Sequence, residues 1–178
     1  MVPITTREMY HVKDLADAYK DAPDESSIIS GNDIRNFHRL VNAQFTEMSK
    51  FIYFGFMDTE PYGEHPKIKE VLKDFRAGFL KIHTTGNDSP IWGTFYNLQF
   101  RGVHDFIHCI HNLEFNHWDE VKALEKQMEH SRLFANSFPN LDWDIYYRIL
   151  RSEIVYQSAF KEAYGDFHIE QKIILSDL

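Results

Sequence analysis

An all-α fold is what this sequence predicts: a single-domain bundle of about five helices, with a central helix near residues 92–112. Three observations carry that expectation. Apolar residues recur at three- and four-residue spacing through most of the chain, the period of a helix with one buried face. The gaps are short clusters of Gly, Pro, Asn, Asp and Ser, which end helices and make turns. One segment, Phe79 to Thr85, alternates in the manner of a strand, and no second strand is evident to pair with it.

Residues 1–31 read as an N-terminal arm, with a short helix over Thr5 to Lys20 and a breaker cluster at Asp21-Ala-Pro-Asp-Glu-Ser-Ser; residues 32–178 make the helical domain. Asn32 and Asp33 are good caps. After them Ile34, Phe37, Leu40, Val41, Phe45, Met48, Phe51 and Ile52 form an amphipathic stripe that carries a helix to near Gly55. A loop with two prolines leads to a helix opened by Pro66, lined by Ile68, Val71, Leu72 and Phe75, and stopped at Gly78. Gly86 to Pro90 is a turn. The central helix is rich in aromatics and is expected to pack on more than one side. Asn116, with Asp119 three residues on, resembles a helix cap, and the helix it opens reaches about Ala135 with Val121, Leu124 and Met128 inward. The last long helix spans about Asp142 to Tyr164, ends at Gly165, and turns Trp143, Tyr146, Leu150, Ile154 and Phe160 to the core; Phe167 to Leu175 can add a closing turn.

A chain of 178 residues is the size of one domain, and its hydrophobic content of 43% suffices for a bulky core. The formal charge of −8 and the lack of any Lys/Arg cluster argue against a nucleic-acid partner or an anionic membrane. The single cysteine, Cys109, cannot form an internal disulfide, which fits a reducing compartment. No run approaches the ~18 apolar residues of a membrane span, and the first residues lack the charged and apolar regions of a signal peptide. The expectation is a cytoplasmic protein, with Phe51-Ile-Tyr-Phe-Gly-Phe apolar enough for a homodimer contact.

The chemistry concentrates in Phe100-Arg-Gly-Val-His-Asp-Phe-Ile-His-Cys-Ile-His111. On a helix, His104, His108 and His111 fall within roughly a 60° arc, because spacings of four and three residues return to one face. That face also carries Asn97, Arg101 and Asp105, and no Lys or Glu. A solvated face is normally rich in those long charged residues, so the stripe is expected to look into a cleft. Glu153 is the second signal: its helical neighbours are Tyr146, Ile149, Leu150, Tyr156, Gln157 and Phe160, none cationic, and a buried carboxylate needs a cation, a metal, hydrogen bonds or a proton.

His104 and His108 form a His-x-x-x-His pair able to present two nitrogens to one ion, and Glu120 and Glu153 from later helices would complete a set suited to Zn, Fe, Mn or Ni. Asp105 would orient a histidine, Arg101 would handle a small anionic substrate, and a spare carboxylate or His111 would serve as general base. Glu114-Phe-Asn-His117 matches the Glu-x-x-His of di-iron bundles, but no second copy follows, since Tyr156 stands three residues after Glu153. There is no P-loop, dinucleotide fingerprint or Gly-x-Ser-x-Gly elbow. Cys109 reads as a core residue, because adjacent helical side chains diverge by about 100° and His108 is badly placed to activate it.

Phe100-Arg101-Gly-Val103-His104-Asp105 with His108, then Phe115, Glu120, Ala123 and Gln127, then Glu153 and Gln157, and finally Glu170-Gln171-Lys172, resembles a group of small uncharacterised helical proteins of bacteria and phages over about residues 90 to 175. The likeness departs at Asp119 and Tyr156, where the group has glycines, and it implies that these positions act as one unit without lending an activity. The His104-Asp105 pair is also similar to the core of the HD phosphohydrolases, helical proteins that hold metal through an upstream His, the His-Asp pair and a later Asp. His83 or His65, and Asp142 or Asp144, would be the outer members. Two readings stand: a metal-binding protein, acting as a metal-dependent hydrolase, with a His/carboxylate pocket between the central and two C-terminal helices; or a non-catalytic interaction or phage-accessory protein whose His/Glu cluster is a structural hydrogen-bond network.

Overall fold

The computed structural model describes residues 6–63, 66–86, 89–167 and 171–177. In chain order the elements are α1 (Thr6–Asp21), α2 (Gly31–Met48), β1 (Tyr53–Met57), α3 (Ile68–Arg76), β2 (Phe79–His83), α4 (Gly93–His111), α5 (His117–Arg132), α6 (Trp143–Arg151), a π-helical turn (Ser152–Tyr156) and α7 (Gln157–Tyr164). The chain is an all-α bundle with a two-stranded parallel sheet added at one side. No described helix is long and apolar enough to cross a membrane.

The central helix is where it was expected, and it packs on two sides. Its N-terminal half, through Trp92 and Phe100, joins a core with Phe37, Leu40 and Val41 of α2 and Tyr146, Leu150 and Tyr156 of the last helix. Its C-terminal half, through Val103, Ile107 and Cys109, joins a second core with Leu80 and Ile82 of β2 and Ile68 and Val71 of α3. Each such side chain withdrawn from water contributes about 1.5–3 kcal/mol against chain entropy. The stretch read as an arm lies on this body: Val12, Ala16 and Tyr19 of α1 are buried, and the Tyr19 ring meets Tyr156 at 5.9 Å.

The sheet corrects two expectations. α2 ends at Met48 and does not run on to Gly55; Phe51 is 74% exposed in the turn that follows, and residues 53–57 are extended. They are the missing partner of Phe79–His83, in register Tyr53↔Phe79 through Met57↔His83, with α3 as the crossover that a parallel pair requires. The helical stripe misled because β1 is apolar at nearly every position and so satisfies any periodicity. The cap of α2 is Ser30, whose hydroxyl accepts from the Asp33 amide at 3.1 Å.

α6, the π turn and α7 form one continuous helix, as its apolar line indicated. The wide turn starts at Ser152, whose hydroxyl donates to the Arg148 carbonyl four residues back at 2.9 Å and accepts from the Ile174 amide at 2.9 Å. Back-bonding of this kind loosens a helix locally, and the C-terminal segment is laid along the loosened turn.

α4 can approach β1 and α2 closely because residue 102 is glycine. A Cβ there would stand 2.8 Å from the Phe45 ring and 3.3 Å from that of Phe54, two rings already in contact with each other at 4.5 Å. Gly102→Ala is therefore expected to destabilise the protein by about 1–2 kcal/mol despite alanine's better helix propensity, read as a lower urea midpoint with unchanged slope.

Candidate metal centre

The turn between α4 and α5 builds the site. Asn112 closes α4 in the left-handed conformation (φ 53°), which asparagine tolerates better than most residues. That turn lets the Leu113 amide bond back to the His108 carbonyl at 3.0 Å and aims the Leu113 carbonyl at the His108 ring, whose Nδ1–H donates to it at 3.1 Å. Asn116 then caps α5, accepting from the amides of Trp118 and Asp119, as its spacing to Asp119 foretold. α5 returns across α4, and Phe115 stacks on His108 with ring centroids 4.5 Å apart.

Along α5 the consequence is that Glu120 meets both imidazoles. Glu120 Oε2 lies 2.9 Å from His104 Nε2 and 3.2 Å from His108 Nε2, and the two nitrogens are 3.1 Å apart. This is a His/His/Glu group within metal-binding distance. His108 is fully buried, and the His104 and Glu120 side chains are 15% and 12% exposed. Gln127, two turns beyond Glu120 on α5, accepts from His104 Nδ1 at 3.1 Å. Both rings thus spend their Nδ1 proton outside the cluster, and in their neutral forms both turn a bare Nε2 toward the Glu120 oxygen. Three lone-pair donors at this separation need a positive charge among them. In the absence of a cation a proton fills that need: despite burial, which opposes it, Glu120 lifts His104 to about 9, and the two imidazoles hold Glu120 well below the usual carboxylate range.

His104 and Glu120 line a cleft of about 990 Å³, with His108 fully buried behind them. Asp105 lines it too, and burial pushes its carboxyl up to about 6. Glu153 lines it as well, but lies outside the His/His/Glu group: its Oε1 accepts from Ser89 Oγ at 2.8 Å, and burial raises it to about 7. The structure therefore separates the expected four-residue ligand set into three convergent residues and one carboxyl elsewhere in the same cleft.

Two other expected residues stand differently. Arg101 points at the cleft mouth with its guanidinium donating to three backbone carbonyls, those of His83 and Thr85 at 2.9 Å each and that of Gly86, so it ties down the loop after β2 and has little left for a substrate anion. His111 is exposed at the end of α4 and does not line the cleft. It shares an angular sector with His104 but lies about 10 Å farther along the axis, a displacement that angles alone do not register. Of the outer residues expected from the HD likeness, His83 pairs with Glu60 at 2.8 Å, Asp142 caps α6 and Asp144 pairs with Arg148 at 2.9 Å. His65 and Glu170 lie outside the described residues. Cys109 is buried, and burial pushes its thiol up to about 12, in keeping with a packing role.

His117 is the residue the sequence reading underused. It opens α5 one turn before Glu120, is buried to 4% exposure, and lines the cleft. Its Nδ1 lies 3.0 Å from Ser158 Oγ, whose own hydroxyl donates to the Val155 carbonyl, so the histidine is the donor and its Nε2 carries a lone pair. Burial also lowers its pKa, which keeps the ring neutral. The three-residue spacing of His117 and Glu120 was the available signal. Comparison with family models, with curated proteins and with solved structures finds no match to the chain.

Two outcomes follow from this geometry. Gln127→Leu removes the acceptor that sets the His104 tautomer and is expected to weaken Zn²⁺ binding about 10- to 100-fold by competition titration while the helical circular dichroism is retained. Glu153 titrates higher in the folded chain than its ordinary 4.5, so the folded form holds the extra proton between about 4.5 and about 7 and stability falls as pH rises through that window. Glu153→Gln, which keeps the Ser89 contact, is expected to be more stable than the parent at pH 8, by on the order of 2 kcal/mol, and equal to it near pH 4.5 in urea unfolding.

Proposed function

We propose that the protein is a metal-dependent hydrolase in which His104, His108 and Glu120 hold a divalent cation and His117 is the general base. The observation that carries this reading is the convergence of two imidazole nitrogens, both with tautomers already set, and one carboxylate oxygen, with His104 and Glu120 lining a cleft. A structural site normally closes with four protein ligands, whereas three leave positions for water and substrate. The mixed nitrogen and oxygen donors suit Zn, Fe, Mn or Ni. Such an ion supplies a Lewis acid and a water acidified toward neutral pH. The chain supplies the rest. His117, one helical turn before Glu120 and with an unprotonated Nε2, is the base that takes a proton from a nucleophilic water in this reading; its place in the lining of the same cleft supports the role. Asp105, its carboxyl pushed up to about 6 by burial, is suited to return a proton to a leaving group.

The test uses protein purified without a histidine tag and reconstituted with Zn²⁺, Mn²⁺, Ni²⁺ or Fe²⁺, then assayed on carboxylic esters, amides and phosphoesters. The expected result is about one tightly held ion per chain, lost in a folded His104→Ala/His108→Ala variant, and hydrolysis supported by a redox-inactive ion. His117→Gln should keep the ion and lose about 100-fold or more in kcat. A protein that binds no metal and merely loses stability in the double variant is a buried hydrogen-bond network instead, and turnover that demands Fe²⁺ with dioxygen overturns the hydrolytic reading.

A further inference from the structure

The same cleft is lined by further polar residues that the metal group does not use, and they include unpartnered acceptors. Gln157 is buried to 4% exposure, lines the cleft, and its Oε1 has no hydrogen-bond partner among the described residues. Gln171 also lines the cleft, with a buried Oε1 likewise unpartnered among them. Glu153 stands in the π turn four residues before Gln157, with one carboxylate oxygen on Ser89. Packing lays the segment that carries Gln171 beside the π turn. Ser152 fixes Ile174 beside the π turn, and the Tyr19 hydroxyl accepts from the Lys172 amide at 3.0 Å while its ring packs on Tyr156. Gln171 is thereby bracketed against the stretch that carries Glu153 and Gln157. A buried acceptor without a donor costs about 1–3 kcal/mol, so two unpartnered carboxamide oxygens and a carboxylate on residues that line one cleft point to a ligand rich in N–H.

We infer that Glu153, Gln157 and Gln171 form a subsite for a primary ammonium group, whose three N–H donors match three acceptors and whose charge is met by Glu153. This rests on reading the cleft as a substrate site and adds the class of substrate: a small amine, held by its ammonium end with the scissile bond toward the His/His/Glu group. A hydroxyl has one proton to give and a quaternary ammonium none, so neither fills the cluster.

The probe is n-butylammonium at pH 8, titrated calorimetrically into the Zn²⁺-reconstituted protein, with n-butanol and tetramethylammonium as controls at equal ionic strength. Saturable binding of n-butylammonium is expected, about tenfold or more tighter than either control. Gln157→Met and Glu153→Gln should each weaken it by about tenfold or more. Gln171→Met, at a less buried position, reads the same contact should Gln157→Met fail to fold. Binding that persists in the metal-free His104→Ala/His108→Ala variant establishes the subsite separately from the ion. Absence of saturable binding, equal binding of tetramethylammonium, or folded variants that bind as the parent does would sink the subsite while leaving the metal centre standing.

Discussion

One backbone torsion governs the functional half of this molecule. Asn112 turns left-handed, and in doing so ends α4, sends the chain back as α5 and places the Leu113 carbonyl against His108. Were the helix to continue, Glu120 would lie two further turns along the same rod and could not meet His104 at 2.9 Å. The turn also decides which nitrogen of His108 is bare. Folding and ligand chemistry are thus set by a single residue whose side chain touches nothing in the cleft.

The remaining order follows from what α4 must do. Two apolar faces are taken by the two cores, which leaves a third face for histidines and Asp105. Polar groups so enclosed draw partners from neighbouring helices. Gln44 of α2 donates to Ser131 at 3.1 Å, Ser131 bonds back to the Gln127 carbonyl at 2.7 Å, and the Gln127 side chain takes the His104 proton. Hydrogen bonds thus tie α2 to the stretch of α5 that carries Gln127, the residue that orients His104.

The helical class, the central helix and the cap at Asn116 were legible because each depends on local pattern. The His104–His108 pair was legible for the same reason, and Glu120 was named beside it as a carboxylate from a later helix. Glu153 was rightly singled out as a carboxylate in apolar company, yet its partner is Ser89, sixty-four residues away, which no periodicity reports. Arg101 misled for a related cause: a guanidinium on a polar face looks available until the loop carbonyls that occupy it are seen. β1 was hidden by uniform apolarity, and His117 by its position in a break, where a helix-based search does not look. In each case the missing information was a tertiary contact or a displacement along an axis.

The clamp of Arg101 on the carbonyls of residues 83, 85 and 86 has a mechanical side. Those residues form one lip of the cleft, and Arg101 belongs to the helix that bears His104 and His108. The loop after β2 and the two imidazoles are thus tied to one helix, and a displacement of that loop would be transmitted through Arg101 to the backbone that carries His104 and His108.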